Sequence, residues 1–211
     1  MGRSLAALPT QSSSSLGFGL PLASSRCGAE SLGVVRCDDL PTLAAALDRH
    51  VLLVEEWRRS RELTIAVLGN VPTRVAAPAE IVLPDGVRYL DADTKRHRIG
   101  PTLVAAPDDA TTRRAVVAAL DACRVLGIHD WARVDVVVDC GGAPYVIDVN
   151  TMPGLRRDPV HPSYFPRCLR LACGIGYRDA VLALVVTAAL RHRLPVPHTL
   201  AAACLAVMTS G

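Results

Sequence analysis

Apolar positions along this chain fall into two periodicities. Runs rich in Val, Ile and Leu at 51–57, 63–69, 79–83, 131–139 and 143–149 predict five strands. A different spacing follows Pro107, where Asp108 and Asp109 supply a capping signal. Val116, Val117, Leu120 and Cys123 then recur three to four residues apart until Gly127, which predicts a helix. A second helix is expected from Tyr177 to Arg193. No internal repeat is visible, and the sum is an α+β lobe, a mostly antiparallel sheet with flanking helices.

The most specific pattern lies in the last two runs. Residues 131–139 and 143–150 flank a Cys140-Gly141-Gly142-Ala143 turn and read as an antiparallel hairpin. Asp148 and Asn150 are two apart, so their side chains leave one face of a strand, and Asp135 on the neighbouring strand can meet them. Three oxygen donors suit a hard cation such as Mg²⁺ that keeps substrate phosphates as further ligands. The same spacing fits an ordinary hairpin with polar residues facing outward.

Composition narrows the alternatives. The net charge is only +3 and the arginines alternate with acids without interleaved aromatics, which argues against nucleic-acid binding. Seven cysteines form no C-x-x-C pair, and the histidines show no ligand spacing, as expected for reduced thiols in a cytoplasmic protein rather than a disulfide frame or zinc site. The apolar run 180–190 is far shorter than the roughly 20 residues that cross a bilayer, so no membrane association is expected. Residues 1–26, with seven serines and no acid, read as a disordered or unrelated extension, or as a transit peptide. Residues 27–194 form the folded domain, and 195–211 a tail. Among 23 basic residues, Lys95 is the only lysine, in the polar segment Tyr89-Leu-Asp-Ala-Asp93-Thr-Lys95. A surface lysine would look the same.

Arg133-Val-Asp135, followed by Tyr145-Val-Ile-Asp148-Val-Asn150-Thr-Met-Pro153-Gly154, closely resembles the metal and phosphate site of D-alanine-D-alanine ligases of the ATP-grasp superfamily. The likeness continues backwards. Val51 to Trp57 and then Arg61 to Gly69 look like that family's nucleotide-binding strand pair, and Gly28-Ala-Glu-Ser31-Leu-Gly33 like its phosphate loop. Four motifs in order, over residues 24 to 193, are far more specific than any one of them. The likeness covers the family's C-terminal catalytic portion.

This resemblance implies an ATP-grasp lobe and ATP-dependent carboxylate-amine ligation through an acyl phosphate, in peptidoglycan precursor synthesis for the cell wall. ATP, Mg²⁺ or Mn²⁺, and D-alanine or a related amino acid would be its cofactors and substrates. Glu55, Glu56 and Trp57 would contact adenine, and Glu62 the ribose hydroxyls. Ser31, Gly33 and Lys95 would contact the phosphates. Asp135, Asp148 and Asn150 would hold the metal, Arg133 and Lys95 would act in catalysis, and Arg133 and Gly154 would bind substrate. Glu62 also fits an exposed strand acid, Gly28 to Gly33 a plain turn, and Arg133 a structural salt bridge to Asp135 or Asp148. The sequence departs from the family pattern at Ser24, where a lysine is usual, and at Glu30, Asp148 and Pro159. With no counterpart of the family's N-terminal domain, three expectations stand side by side: an active ligase working as a homodimer or with a separately encoded N-terminal half, an inactive fragment that at most binds nucleotide, and a ligase with another acceptor.

Overall fold

In the computed structural model, residues 21–25, 34–37, 39–47, 52–56, 61–71, 73–85, 87, 101–157 and 162–209 are described. The elements in order are β1 (Pro21–Ser25), β2 (Val34–Arg36), α1 (Leu40–Leu47), β3 (Leu52–Glu56), β4 (Arg61–Asn70), β5 (Thr73–Val82), β6 (Thr102–Ala105), α2 (Ala110–Val125), β7 (Trp131–Val138), β8 (Pro144–Asn150), α3 (Tyr164–Cys173), α4 (Tyr177–Arg191) and α5 (His198–Thr209). They make two antiparallel sheets, of order β2-β1-β3 and β6-β5-β4-β7-β8.

The five-stranded sheet carries the core. Its central strand β4 is buried without a break from Leu63 to Gly69, because both faces are covered. Leu63, Ile65 and Val67 join Ala132, Val134, Val136 and Val138 of β7 beneath α2. Ala66 and Leu68 join Ala77, Ala79 and Leu103 beneath Phe165, Cys168 and Leu169 of α3. Trp131 meets Phe165 edge to face with centroids 5.2 Å apart, fixing α3 across the end of β7.

Several boundaries depart from the sequence expectations. Segment 51–57 was expected beside 63–69, but β3 pairs with β1 in the smaller sheet, and the fifth strand of the larger one is the unforeseen β6. β5 starts at Thr73 rather than 79. Pro78, which looks like a strand breaker, stands opposite Ile65 just beyond the end of β6, where its missing N–H removes no ladder bond on that side. β1 lies inside the stretch 1–26 set aside as an extension, and α5 inside the expected tail. The helix after Asp109 begins as expected, with the Asp109 carboxylate accepting from Thr112 N at 2.6 Å and Gly127 at φ 64° closing it. Its buried face is Thr112, Ala115, Ala119 and Cys123, whereas Val117 is exposed. Small residues let α2 approach the Val-rich face of β7. Among the described residues no single helix is long and apolar enough to cross a membrane, and no disulfide forms.

One polar cluster locks the end of this sheet. Asp130 is buried with φ 65°, left-handed backbone that costs a non-glycine residue energy. Its N–H donates to Asn70 Oδ1 and its carboxylate accepts from Asn70 Nδ2, both at 2.9 Å, while Arg191 from α4 grips both carboxylate oxygens. Hydrogen bonds from Arg191 hold the Asp130 carboxyl below its ordinary value, against the opposing effect of burial. A depressed carboxyl pKa contributes stability above the unfolded value of about 4 and loses it as pH falls through the folded value. Asp130→Asn keeps a residue tolerant of this backbone. It should cost about 1–2 kcal/mol at neutral pH, and the gap to wild type should shrink below pH 4, as read by urea denaturation at several pH values.

Candidate active site

Strand parity decides which side chains share the face opposite α2. On β7 that face carries Arg133, Asp135 and Val137, alternating with the buried Ala132, Val134 and Val136. On β4 it carries Glu62, Thr64 and Ala66, because Thr64 stands opposite Asp135 and Ala66 opposite Arg133. Arg61 points the other way, where it bridges Glu80 at 3.0 Å and the α2 cap Asp109 at 2.9 Å.

The third strand reaches the same face through an irregularity. Asp148 stands opposite Asp135 and Asn150 opposite Arg133, but Val136 stands opposite Val146, so Ile147 is an extra residue in β8. It is 58% exposed, as suits a bulged residue outside the ladder. Without it, the alternation running from Tyr145 would put Asp148 and Asn150 on the opposite side. The bulge re-aims both.

Asp135 is held tightly. Arg133 grips it in a two-point fork, Nε to Oδ1 at 3.0 Å and Nη2 to Oδ2 at 2.8 Å. Thr64 Oγ1, fully buried, donates to Oδ1 at 2.7 Å. Arg133 Nη2 also lies 3.9 Å from Asp148 Oδ2. Burial works against the Arg133 charge, but Asp135, by charge and hydrogen bonds, and then Asp148 outweigh it and hold the guanidinium above its ordinary value. Of the two roles left open for Arg133, the salt bridge is thus present. Nη1 makes no hydrogen bond among the described residues.

The remaining donors bear on whether a cation fits. Asp135 Oδ1 already accepts two hydrogen bonds and Oδ2 one, leaving a lone pair on Oδ2. Asn150 Oδ1 accepts from Met152 N at 3.0 Å and keeps its second lone pair. Asp148 is 59% exposed. Two carboxylates and an amide on adjacent strands make an oxygen-only set, and such a set fits Mg²⁺ or Mn²⁺ completed by phosphate oxygens. Among the described residues, no three His, Cys, Asp or Glu side chains gather as a metal centre. A cation held here would need the Asn150 amide and further oxygens from a ligand.

Sequence reasoning missed three contributors. Thr64 follows from parity once β4 begins at Arg61 and Glu62 faces the site. Tyr164, at the start of an unforeseen helix, sets its ring 6.0 Å from the Arg133 guanidinium. Its hydroxyl is pushed above the usual phenol range chiefly by burial. Cys168 closes the face from beneath, its Sγ 3.6 Å from Thr64 O, and burial pushes its thiol up to about 12, so it stays protonated and unreactive. Gly154 lies exposed where a Cβ would come within 2.6 Å of Ser163 Oγ, the atom that accepts from Arg156 N at 2.9 Å. Glu55 and Glu56 lie on β3, opposite Leu22 and Pro21. Ser31, Gly33, Trp57 and Lys95 lie outside the described residues.

Comparison with known proteins gives three concordant results. Residues 4–186 match the family model described as D-ala D-ala ligase C-terminus. The chain is 35% identical over 179 residues to the D-alanine-D-alanine ligase of Stutzerimonas stutzeri, which covers 81% of this chain and 53% of the relative. It is 32% identical over 174 residues to D-alanine-D-alanine ligase A of Chromobacterium violaceum, with 78% and 45% covered. The chain thus spans about half the length of the curated relatives it matches. Among solved structures, the D-alanine-D-alanine ligase of Bacillus anthracis superposes with a TM-score of 0.61 at 23% identity, over 84% of this chain and 56% of that one. A structure of that ligase complexed with ATP gives the same score at 22% identity, over 84% and 54%.

The fork makes a testable demand. Replacing Arg133 by Met would leave the Asp135 carboxylate, only 17% exposed, uncompensated beside Asp148. The expected cost is about 3 kcal/mol in equilibrium urea unfolding, and Arg133→Lys, which keeps the charge but not the fork, should lose less. An Arg133→Met protein as stable as wild type would rule out this account of Asp135.

Proposed function

The chain belongs to the D-alanine-D-alanine ligase family, with an ATP-grasp antiparallel sheet, and we propose that its β7–β8 face is the metal and phosphate site of an ATP-dependent carboxylate-amine ligase. The observation that carries this reading is the register: Asp135 directly opposite Asp148, with Asn150 brought to the same face by the bulge at Ile147. Support also comes from the relatives named D-alanine-D-alanine ligase and from the ATP complex of the structural neighbour.

On this reading Asp135, Asp148 and Asn150 hold Mg²⁺ or Mn²⁺ against the triphosphate. When bound, the cation neutralises charge on the transferring phosphoryl group. Arg133 has two tasks. Its fork orients Asp135, and its outer Nη1 points toward anionic substrate, a phosphate or a carboxylate. Thr64 removes the last rotational freedom of Asp135, and the protonated Cys168 below it excludes water from that side. Glu62, two residues before Thr64 on the same face, accepts from the ribose hydroxyls. Glu55, Glu56 and Trp57 contact adenine, Ser31 and Gly33 close over the phosphates, and Gly154 keeps the turn after β8 open for substrate. Lys95, a compact ammonium on a flexible stem, follows the moving phosphoryl group.

The reaction is then two displacements. A D-alanine carboxylate oxygen attacks the γ-phosphorus and ADP leaves, giving an acyl phosphate. The amine of a second D-alanine attacks the acyl carbon, and inorganic phosphate leaves as the peptide bond forms. Both steps bring anions together, so catalysis rests on positioning and charge neutralisation. The product would serve peptidoglycan synthesis.

Ligand binding stabilises the native state in proportion to saturation, so even a weak site registers as a melting shift. ATP with Mg²⁺ should raise the melting temperature of the wild-type chain, ATP with EDTA should raise it less, and Asp148→Ala should lose the metal-dependent part. An equal metal-dependent shift in Asp148→Ala would remove Asp148 from the site.

A further inference from the structure

A cavity lies away from this site. It holds about 530 Å³, within the usual range for small-molecule pockets, and sits at the far end of the five-stranded sheet between α2, α4 and α5. β4 runs from the candidate active site to its rim. Asn70 lines the cavity six residues beyond Thr64, roughly 20 Å along the strand. One wall is α5, which lies wholly beyond residue 186, where the family match ends.

Its lining is apolar in body and positive at one side. Cys123, Ile128, Val186, Cys204 and Met208 form walls, while Arg74, Arg124 and Arg191 line it and no Asp or Glu does. Two of these charges are already matched, Arg191 by Asp130 and Arg124 by Asp121. Arg74 differs. It is half-buried and gives its N–H groups only to carbonyl oxygens, Gly69 O at 3.2 Å and Ile128 O at 2.9 Å. Among the described residues no carboxylate pairs with it, so they leave the Arg74 charge uncompensated. That charge reaches the interior, where it opposes the upward push of burial on the Cys123 thiol.

We propose that this cavity is a second ligand site, which takes a small monoanion with an apolar body whose acid group pairs with Arg74. An uncompensated guanidinium beside an apolar wall favours an anion over its neutral isostere, because the neutral group leaves the charge unanswered. The volume admits a body the size of a bicyclic ring. The site is separate from the β7–β8 face, so it does not depend on the function proposed above.

Titration calorimetry of the full chain with 2-naphthoate and with neutral 2-naphthamide tests this directly. Naphthoate should bind one to one, with the amide at least about tenfold weaker. Arg74→Gln should lose the preference and Arg74→Lys should keep it. Ala201→Trp, on the partly exposed helix wall, should fill the cavity and abolish binding while leaving the metal-dependent response to ATP unchanged. No heat at millimolar naphthoate, equal affinity for acid and amide, or unchanged binding in Ala201→Trp would each overturn the proposal. So would a stable dimer in sedimentation that excludes the probe, which would assign the face to a second copy of this chain. Should Arg74→Gln fail to fold, the acid-amide comparison on wild type and Ala201→Trp still decide.

Discussion

The pairing of β7 with β8 is the constraint on which the rest of the site depends. Side chains in a strand alternate, so a slip of one residue exchanges its two faces. β7 can afford no such slip. Ala132, Val134, Val136 and Val138 are needed beneath α2, and that fixes Arg133 and Asp135 on the other face. β8 meets the demand by carrying Ile147 outside the ladder. Core packing on one side thereby determines where the carboxylates stand on the other.

Around that register the charges form a closed arrangement. The Arg133 fork and the Thr64 hydroxyl occupy three of the positions at which Asp135 can accept, which leaves one lone pair on Oδ2, on the strand face it shares with Asp148 and Asn150. A buried carboxylate so held is costly to strip of its partners and inexpensive to present to a cation. Tyr164 and Cys168, both from α3, complete the floor. The same helix packs through Phe165 and Leu169 into the core, so stability and site geometry share their residues.

Much of this was legible in the sequence, and the failures have identifiable causes. The hairpin, and the shared face of Asp148 and Asn150 on β8, follow from β-branched runs around a Gly-Gly turn, but their meeting with Asp135 depends on the bulge. That bulge was not legible, because Tyr145-Val-Ile-Asp148 carries no mark of an extra residue. β5 was expected six residues late because Pro78 hides a strand that continues past the end of β6. α3 was hidden by Pro166, which stands in the first helical turn, where a missing N–H is harmless. α5 has neither charge nor caps to set a period and read as a tail. On α2, Val116, Leu120 and Cys123 do pack against the core, but the fully buried Ala115 and Ala119 went unnoticed and Val117 is exposed, because close packing on β7 favours the alanines.

Crystallography of the chain with Mn²⁺ and ATP, located by anomalous scattering, tests the central claim most directly. The account predicts a manganese peak bridging Asp135 Oδ2, Asp148 and Asn150 Oδ1, at about 2.0–2.2 Å from each oxygen, with the γ-phosphate completing its shell and Arg133 still gripping Asp135. Nucleotide bound with its manganese elsewhere, or Asp135 and Asp148 facing solvent with no metal between them at saturating Mn²⁺ and ATP, would contradict it.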